Sequence, residues 1–254
     1  MRRPLVAGNW KLHGSRASNA SLLGAIRAGL HSGWDIDVMV CPPFVYLAEV
    51  SAVLQGSPVM LGAQDAAAET QGAFTGEVSA VMLREVGCSH VLVGHSERRT
   101  LFGEADELVA RKFRAVVAAG MSPVLCVGET LQQRQAGTTE VVVRRQVDAV
   151  LDVVSDEELA LGIIAYEPVW AIGTGHTASP QQAQEVHSVI RHAVLARSAR
   201  IGGELRILYG GSVKGSNARE LFAMPDIDGG LVGGASLDAA DFLKICSAAA
   251  GTTT

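Results

Sequence analysis

A chain of 254 residues with 48% hydrophobic content has enough apolar surface for one large core or two small ones, which excludes a disordered chain. Its formal net charge of −5 provides no basic field for nucleic acid or an anionic membrane, so an anionic ligand has to be caught by local geometry. Arg2 and Arg3 precede only a short apolar run before Asn9, which predicts neither a signal peptide nor a membrane span and implies a cytoplasmic protein.

Apolar, β-branched runs then alternate with segments of helical periodicity. Leu5 to Gly8 is followed by a helical pattern over Asn19 to Leu30, and then by the runs Val38 to Cys41, Val59 to Leu61 and Val91 to Val93. A helix over Glu104 to Ala119 leads to Val124 to Val127, and one over Thr139 to Val153 leads to Ile163 to Tyr166. A helix over Pro180 to Arg197 precedes Ile207 to Tyr209; after Gly230 to Val232 a last helix covers Asp238 to Ser247. On the Pro180 to Arg197 segment Ala183, Val186, Ile190, Ala193 and Val194 form one apolar stripe, and the face with Gln184, Glu185 and Arg191 is expected to meet water.

Short runs that are apolar throughout, rather than alternating, belong to parallel strands covered on both faces, and parallel neighbours need crossover helices. Eight such units in about 250 residues predict an α/β fold, a (β/α)8 barrel with parallel strands. A doubly wound sheet would carry Gly-x-Gly-x-x-Gly after its first strand, whereas this strand ends Gly8-Asn9-Trp10-Lys11. No linker or composition break divides the chain, so residues 1–254 are expected to form a single domain. Cys41, Cys88, Cys126 and Cys246 are scattered without a Cys-x-x-Cys pair, which fits reduced, buried thiols and gives no metal site.

In such a barrel the site is built from residues at the C-terminal ends of strands. The first strand delivers Asn9 and Lys11, the fourth His95, the sixth Glu167, the seventh Gly210-Gly211-Ser212 and the eighth Gly233-Gly234. Taken singly, Lys11 reads equally as a solvated lysine, His95 as a helix cap and the glycine pairs as turn punctuation. Together they form a coherent set. Pro168 biases Glu167 toward an extended conformation, and the segment Ala171 to Gly175 with its two glycines reads as a lid. Glycine-rich turns after the seventh and eighth strands can close backbone N–H groups around a phosphate, with Gly173 of the lid as a further donor. A carboxylate, an imidazole and an ammonium facing that grip suit proton abstraction next to a carbonyl. One connection, Gln64 to Glu77, is too long for a simple turn, and Phe74 at its tip points to docking rather than a free loop.

The segments G-N-W-K, G-A-F-T-G-E-V-S, G-H-S-E-R-R, C-V-G-E-T-L, Y-E-P-V-W-A-I-G-T-G, Y-G-G-S-V and L-V-G-G-A-S-L resemble, in order and over nearly the whole chain, those of the triosephosphate isomerase family. The resemblance implies a TIM barrel that interconverts dihydroxyacetone phosphate and D-glyceraldehyde 3-phosphate without a cofactor, in glycolysis and gluconeogenesis. A glutamate base, a neutral histidine and a closing loop are established for that family and are carried over as such. Glu167 is then the base, His95 the electrophile, Lys11 the source of positive charge, Asn9 a residue that fixes this group and Glu97 the partner that positions Lys11. Gly173, Ser212, Gly233 and Gly234 donate backbone N–H groups to the phosphate. Pro168 and His176 flank the lid, and Ile172 with Leu231 forms an apolar clamp that raises the basicity of Glu167 on closure. The resemblance also implies a homodimer, with Phe74, Thr75, Glu77 and Arg98 in the interface and Thr75 reaching toward Asn9 and Lys11 of the second copy.

Two positions depart from the family pattern: His176 stands where lysine is usual and Asp65 where asparagine is usual. A barrel aldolase with a Schiff-base lysine is disfavoured because, beyond Lys11, only Lys112, Lys214 and Lys244 remain, in helical or loop positions. The alternative function is a catalytically silent triose-phosphate-binding protein; intact Lys11, His95 and Glu167 speak against it.

Overall fold

The computed structural model describes residues 2–171 and 177–251. Eight strands, β1 (Leu5–Asn9), β2 (Asp37–Cys41), β3 (Val59–Ala63), β4 (His90–Val93), β5 (Ser122–Val127), β6 (Ile163–Tyr166), β7 (Ile207–Tyr209) and β8 (Gly229–Val232), pair in sequence order. Every pairing is parallel, and β8 returns to β1 with Leu5 opposite Gly229, closing the (β/α)8 TIM barrel.

The period of two along each strand divides the apolar residues into two cores. Leu5, Ala7, Met39, Cys41, Leu92, Val124, Cys126, Ile163, Ala165, Leu208 and Leu231 fill the barrel. Their alternates, among them Val6, Val38, Val40, Val91, Val93, Leu125, Ile164 and Val232, face the helices and join Leu23, Ile26, Phe113, Val147, Ile190 and Phe242. Both faces of every strand are therefore dry, which is why the strands read as continuous apolar runs. All four cysteines are free and buried.

Helix boundaries follow local chemistry. The first helix, Arg16–Gly29, starts three residues before the sequence pattern does because Ser15 and Ser18 cap each other across its first turn. The helix Asp106–Ala118 starts later than expected because Glu104 is drawn inward, where its Oε1 lies 2.5 Å from both Lys112 Nζ and Arg98 Nε. The helix Pro180–Arg197 has the predicted bounds, with Ser179 and Gln182 in a reciprocal cap and proline at the first helical position.

The water-facing assignment of that helix is corrected at Arg191, which is buried. Its guanidinium reaches Asp228 Oδ2 at 2.6 Å, Asp226 Oδ1 at 3.4 Å, and the carbonyls of Gly202 and Leu205. Asp228, immediately before β8, also accepts from Ile207 N and pairs with Arg2, so Arg191 faces a carboxylate fixed at the base of the barrel. Gln184 is half-buried and exchanges hydrogen bonds with Asp226, while Glu185 alone of the three is exposed.

Candidate active site

The inward parity of the strands carries past their C-terminal ends. Leu5 and Ala7 are followed by Asn9, Ile163 and Ala165 by Glu167, Leu208 by Gly210, and Leu231 by Gly233. A side chain that would be core one layer lower is therefore presented at the barrel mouth. There Asn9, Lys11, His95, Glu167, Ser212, Leu231, Gly233 and Gly234 line one cavity of about 370 Å³, together with Gly210 and Gly211.

Glu167 is the most enclosed of the ionisable groups at this mouth, with 2% of its surface exposed. Its backbone is fixed by Glu167 N donating to Val127 O at 2.7 Å, and the buried Pro168 follows. The carboxylate is held at both oxygens: Oε1 lies 2.9 Å from His95 Nε2, and Oε2 accepts from Ser96 N at 2.9 Å. Burial pushes its pKa up, but the His95 ring, the Ser96 N–H and Lys11 pull it down further, so the net position is below the usual carboxylate value.

His95 is both a helix cap and a site residue. It is the N-cap of the helix Ser96–Leu101, and its Nδ1 accepts from Glu97 N at 3.2 Å. Burial lowers the pKa of the ring, but Glu167 and Glu97 together bring it to a net position above the usual imidazole value. A backbone N–H aimed at Nδ1 requires a lone pair there, so the contacts at both nitrogens are met together by the neutral ring with its proton on Nε2.

Lys11 has φ +52°, the only positive φ outside glycine among the described residues, a conformation that costs about 1–2 kcal/mol. The strain is held by neighbours: Lys11 N donates to Asn9 Oδ1 at 3.0 Å, and Lys11 O accepts from Gln64 Nε2 at 2.8 Å. Gln64 also donates to Cys41 O at 2.9 Å, tying the turn after β1 to β2. The ammonium extends to Glu97 Oε1 at 2.5 Å, so Glu97 and Lys11 are brought together.

Glycine at the seventh strand end is a steric requirement. A Cβ on Gly211 would come within 2.2 Å of the Tyr209 hydroxyl oxygen, and one on Gly210 within 2.8 Å of Glu167 Cγ. Ile172, Gly173 and His176 lie outside the described residues.

Three supporting residues carry no signal strong enough to single them out in sequence. Gln64 and Ser96 act through one hydrogen-bonding group each and sit in segments that were read for other reasons. Glu129, fully buried, accepts from Tyr166 Oη at 3.1 Å and Trp170 Nε1 at 2.9 Å and pairs with Arg134 at 3.3 Å. Trp170 thereby ties the segment after Glu167 to the end of β5, and burial together with Glu129 raises the pKa of the Tyr166 phenol.

The long connection after β3 is a closed finger, with Ala67 N donating to Val78 O at 2.8 Å at its base and Glu77 N to Phe74 O at 3.0 Å at its tip. Phe74, Thr75 and Glu77 are exposed. Arg98 turns inward, with Nε 2.7 Å from Asp65 Oδ2 and 2.5 Å from Glu104 Oε1, and its guanidinium lies over Phe102. Asp65 also receives Lys112 Nζ at 2.8 and 2.9 Å, so its extra charge meets two cations in a buried cluster. Burial nevertheless raises the Asp65 pKa, with Lys112 opposing, while Lys112 and Arg98 bring that of Glu104 down despite burial.

With this geometry in place, comparison with known proteins is specific. A family model described as triosephosphate isomerase matches residues 4–249. A triosephosphate isomerase from Nitrosococcus oceani is 57% identical over 249 residues, 98% of this chain and 100% of that protein. One from Dechloromonas aromatica is 59% identical over 249 residues, and one from Cupriavidus necator 58% over 248, each with 98% of this chain and 100% of the relative covered.

Proposed function

The chain belongs to the triosephosphate isomerase family, and on that premise we propose that the mouth described above interconverts dihydroxyacetone phosphate and D-glyceraldehyde 3-phosphate by proton transfer through an enediolate. It is an isomerase of glycolysis. The observation that carries the mechanism is the convergence of Glu167, His95 and Lys11 on one small cavity that is also lined by Ser212, Gly233 and Gly234.

Glu167 takes a proton from the carbon beside the substrate carbonyl, leaving an enediolate, and returns it to the neighbouring carbon, while His95 passes a proton from the hydroxyl oxygen of the first carbon to the oxygen of the second so that the new carbonyl forms. The carbonyl oxygen, as it becomes an oxyanion, receives the Lys11 ammonium and the His95 Nε2–H, which leaves Glu167 to do so; Glu97 N holds the other ring nitrogen, and Asn9 and Gln64 hold the Lys11 backbone. The phosphate lies against the backbone N–H groups of Ser212, Gly233 and Gly234, with Gly173 as a further donor from the lid. Leu231 is buried and lines the cavity, which supports its part in the apolar clamp with Ile172; Pro168 and His176 bound the segment that closes. Turnover of D-glyceraldehyde 3-phosphate in a coupled assay tests this. Glu167→Gln is expected to lose turnover while retaining inorganic phosphate binding; retained turnover would remove Glu167 as the base, and phosphate binding without wild-type turnover would favour a silent binding protein.

The same reading includes a homodimer. Leu12, Phe44, Val45, Phe74, Val81, Met82, Leu101 and Phe102 are exposed, and all follow the C-terminal ends of the four consecutive strands β1 to β4. The half of the barrel built on β1 to β4 thus carries a run of exposed apolar side chains, and the finger with Phe74, Thr75 and Glu77 belongs to it. A second copy is the partner that covers it. A cytoplasmic location and a single domain spanning the chain complete the proposal. No helix among the described residues is long and apolar enough to cross a membrane, and the last helix, Ala239–Ala249, packs on β1 and on the first helix.

A further inference from the structure

Gln146 takes no part in the site as described, yet its buried side chain commits both ends of its amide to one residue. It lies on the helix Thr139–Leu151; its Oε1 accepts from Gly128 N at 2.7 Å and its Nε2 donates to Gly128 O at 3.2 Å. Gly128 follows β5 and touches the backbone of Glu167 so closely that a Cβ would come 1.8 Å from Glu167 O and 2.6 Å from its carbonyl carbon. On either side of this contact the two segments are hydrogen-bonded, Glu167 N to Val127 O at 2.7 Å and Val169 N to Glu129 O at 3.1 Å. The place of Glu167 is therefore set by residues 127 to 129. Within that run the peptide groups of Gly128 are met by a side chain, and removing it would leave a donor and an acceptor to find other partners.

We propose that Gln146 is a positioning residue for the isomerisation, acting through Gly128 to set where the Glu167 backbone stands at the barrel mouth and so where its carboxylate reaches. The inference rests on Glu167 being the base. A primary amide suits the task because it offers a donor and an acceptor from one planar group, matching the N–H and C=O of one glycine. Methionine has the shape without either bond. Glutamate has the shape and the acceptor; when ionised it lacks the donor and sets a negative charge against Gly128 O, and when protonated it regains an O–H to donate. On the neighbouring segment Glu129 is paired with Arg134, and the Arg99 guanidinium donates to Cys126 O, so the added carboxyl would have both signs of charge nearby.

The test compares wild type, Gln146→Met and Gln146→Glu for kcat with D-glyceraldehyde 3-phosphate and for inorganic phosphate affinity, from about pH 5 to about pH 9, with the folded fraction measured by circular dichroism at each pH. For Gln146→Met, kcat is expected to fall roughly 10- to 100-fold with phosphate affinity within about twofold, because the anion grip is carried by residues after β7 and β8, whereas Gln146 bonds to Gly128 after β5. For Gln146→Glu, the ratio of kcat to wild type is expected to rise as pH falls through the new carboxyl's pKa. A purely structural role predicts instead that kcat and phosphate affinity fall together with the folded fraction and that the ratio is flat once corrected for it. Folded Gln146→Met with wild-type kcat, or a flat corrected ratio for Gln146→Glu, overturns the proposal; if the methionine variant does not fold, the glutamate ratio decides alone. An inactive wild type would overturn the isomerase reading itself, whereas an active wild type with unaffected variants overturns only the role of Gln146.

Discussion

Gly210→Ala places one methyl group against the side chain of the proposed base and nearly nothing else. Its Cβ would stand 2.8 Å from Glu167 Cγ and 3.2 Å from Tyr166 O, and Gly210 does not have a positive φ, so the change brings no left-handed backbone strain. Ordinary contact begins near 3.4 Å, so the Glu167 side chain must retreat by about 0.6 Å. A shift of that size, directed away from its partners, would lengthen contacts now at 2.9 Å to roughly 3.5 Å, at which the His95 and Ser96 bonds have largely gone. Since a misplacement of ~1 Å costs ~100-fold, kcat is expected to fall roughly 10- to 100-fold, or about 1.4 to 2.7 kcal/mol of barrel-mouth geometry expressed as a barrier. The acid limb of the kcat/KM profile supplies a second readout. In the wild type the net depression of the Glu167 pKa keeps the base ionised down to acid pH, with activity lost as pH falls through that depressed value. Loosening the bonds that lower it should move the acid limb of the variant to higher pH. Stopped-flow or coupled-assay profiles of both proteins, with inorganic phosphate binding as a control on the anion grip, decide the matter. Variant kcat within about twofold of wild type and an unmoved acid limb would show that the carboxylate has slack that the contacts deny.

Other consequences follow from the same contacts. Lys112→Met leaves Asp65 and Glu104 buried together with only the partly exposed Arg98 between them, and is expected to lower the unfolding free energy in urea by about 3 to 5 kcal/mol at neutral pH. Without Lys112 both carboxyl pKa values in the folded state move up, Asp65 from a position already raised and Glu104 from a lowered one, so this loss should shrink as pH falls through the carboxylate range; a pH-independent loss would refute the ionic account. Phe74→Glu puts a charge on the apolar rim and is expected to shift sedimentation toward the monomer at micromolar protein, and an unchanged dimer would place the interface elsewhere. Deletion of Ala171 to Gly175 should expose the enediolate to phosphate elimination, read as methylglyoxal released per isomerisation; an unaltered product ratio would relieve that segment of a protective role.

The strands and the site were legible for one reason: both depend on short-range pattern. A strand covered on both faces must be apolar throughout, and its C-terminal end then marks the next polar side chain as mouth-facing, so Asn9 and Glu167 could be placed from Leu5-Val6-Ala7 and Ile163-Ile164-Ala165 alone. Arg191 shows where that kind of pattern stops. Helical periodicity put it on a polar face, and it is buried because Asp228, 37 positions along the chain, holds a carboxylate against that face. Asp65 behaves likewise. Its departure from the family's usual asparagine was visible, but Lys112 and Arg98, the cations that receive the charge, come from helices on later units of the barrel. Gln64, Glu129 and Gln146 were missed because each acts by hydrogen bonds to backbone groups or side chains in other segments, and nothing in one sequence marks which backbone group lacks a partner.

The hydrogen bonds around Glu167 impose a requirement on the reaction itself. In the free protein the carboxylate is stabilised by His95 and Ser96, which favours ionisation and lowers its strength as a base. His95 Nε2 cannot give its one proton to both Glu167 and a substrate oxygen, so engagement of the substrate takes away one of the two bonds that depress the carboxyl pKa. On the proposed mechanism, substrate entry raises the basicity of Glu167 by removing that bond. Burial, which already opposes the ionised form here, then acts with less resistance. On that mechanism the same proton on His95 holds the proposed base ionised at rest and, once turned to the substrate oxygen, leaves it more basic at the moment it is used.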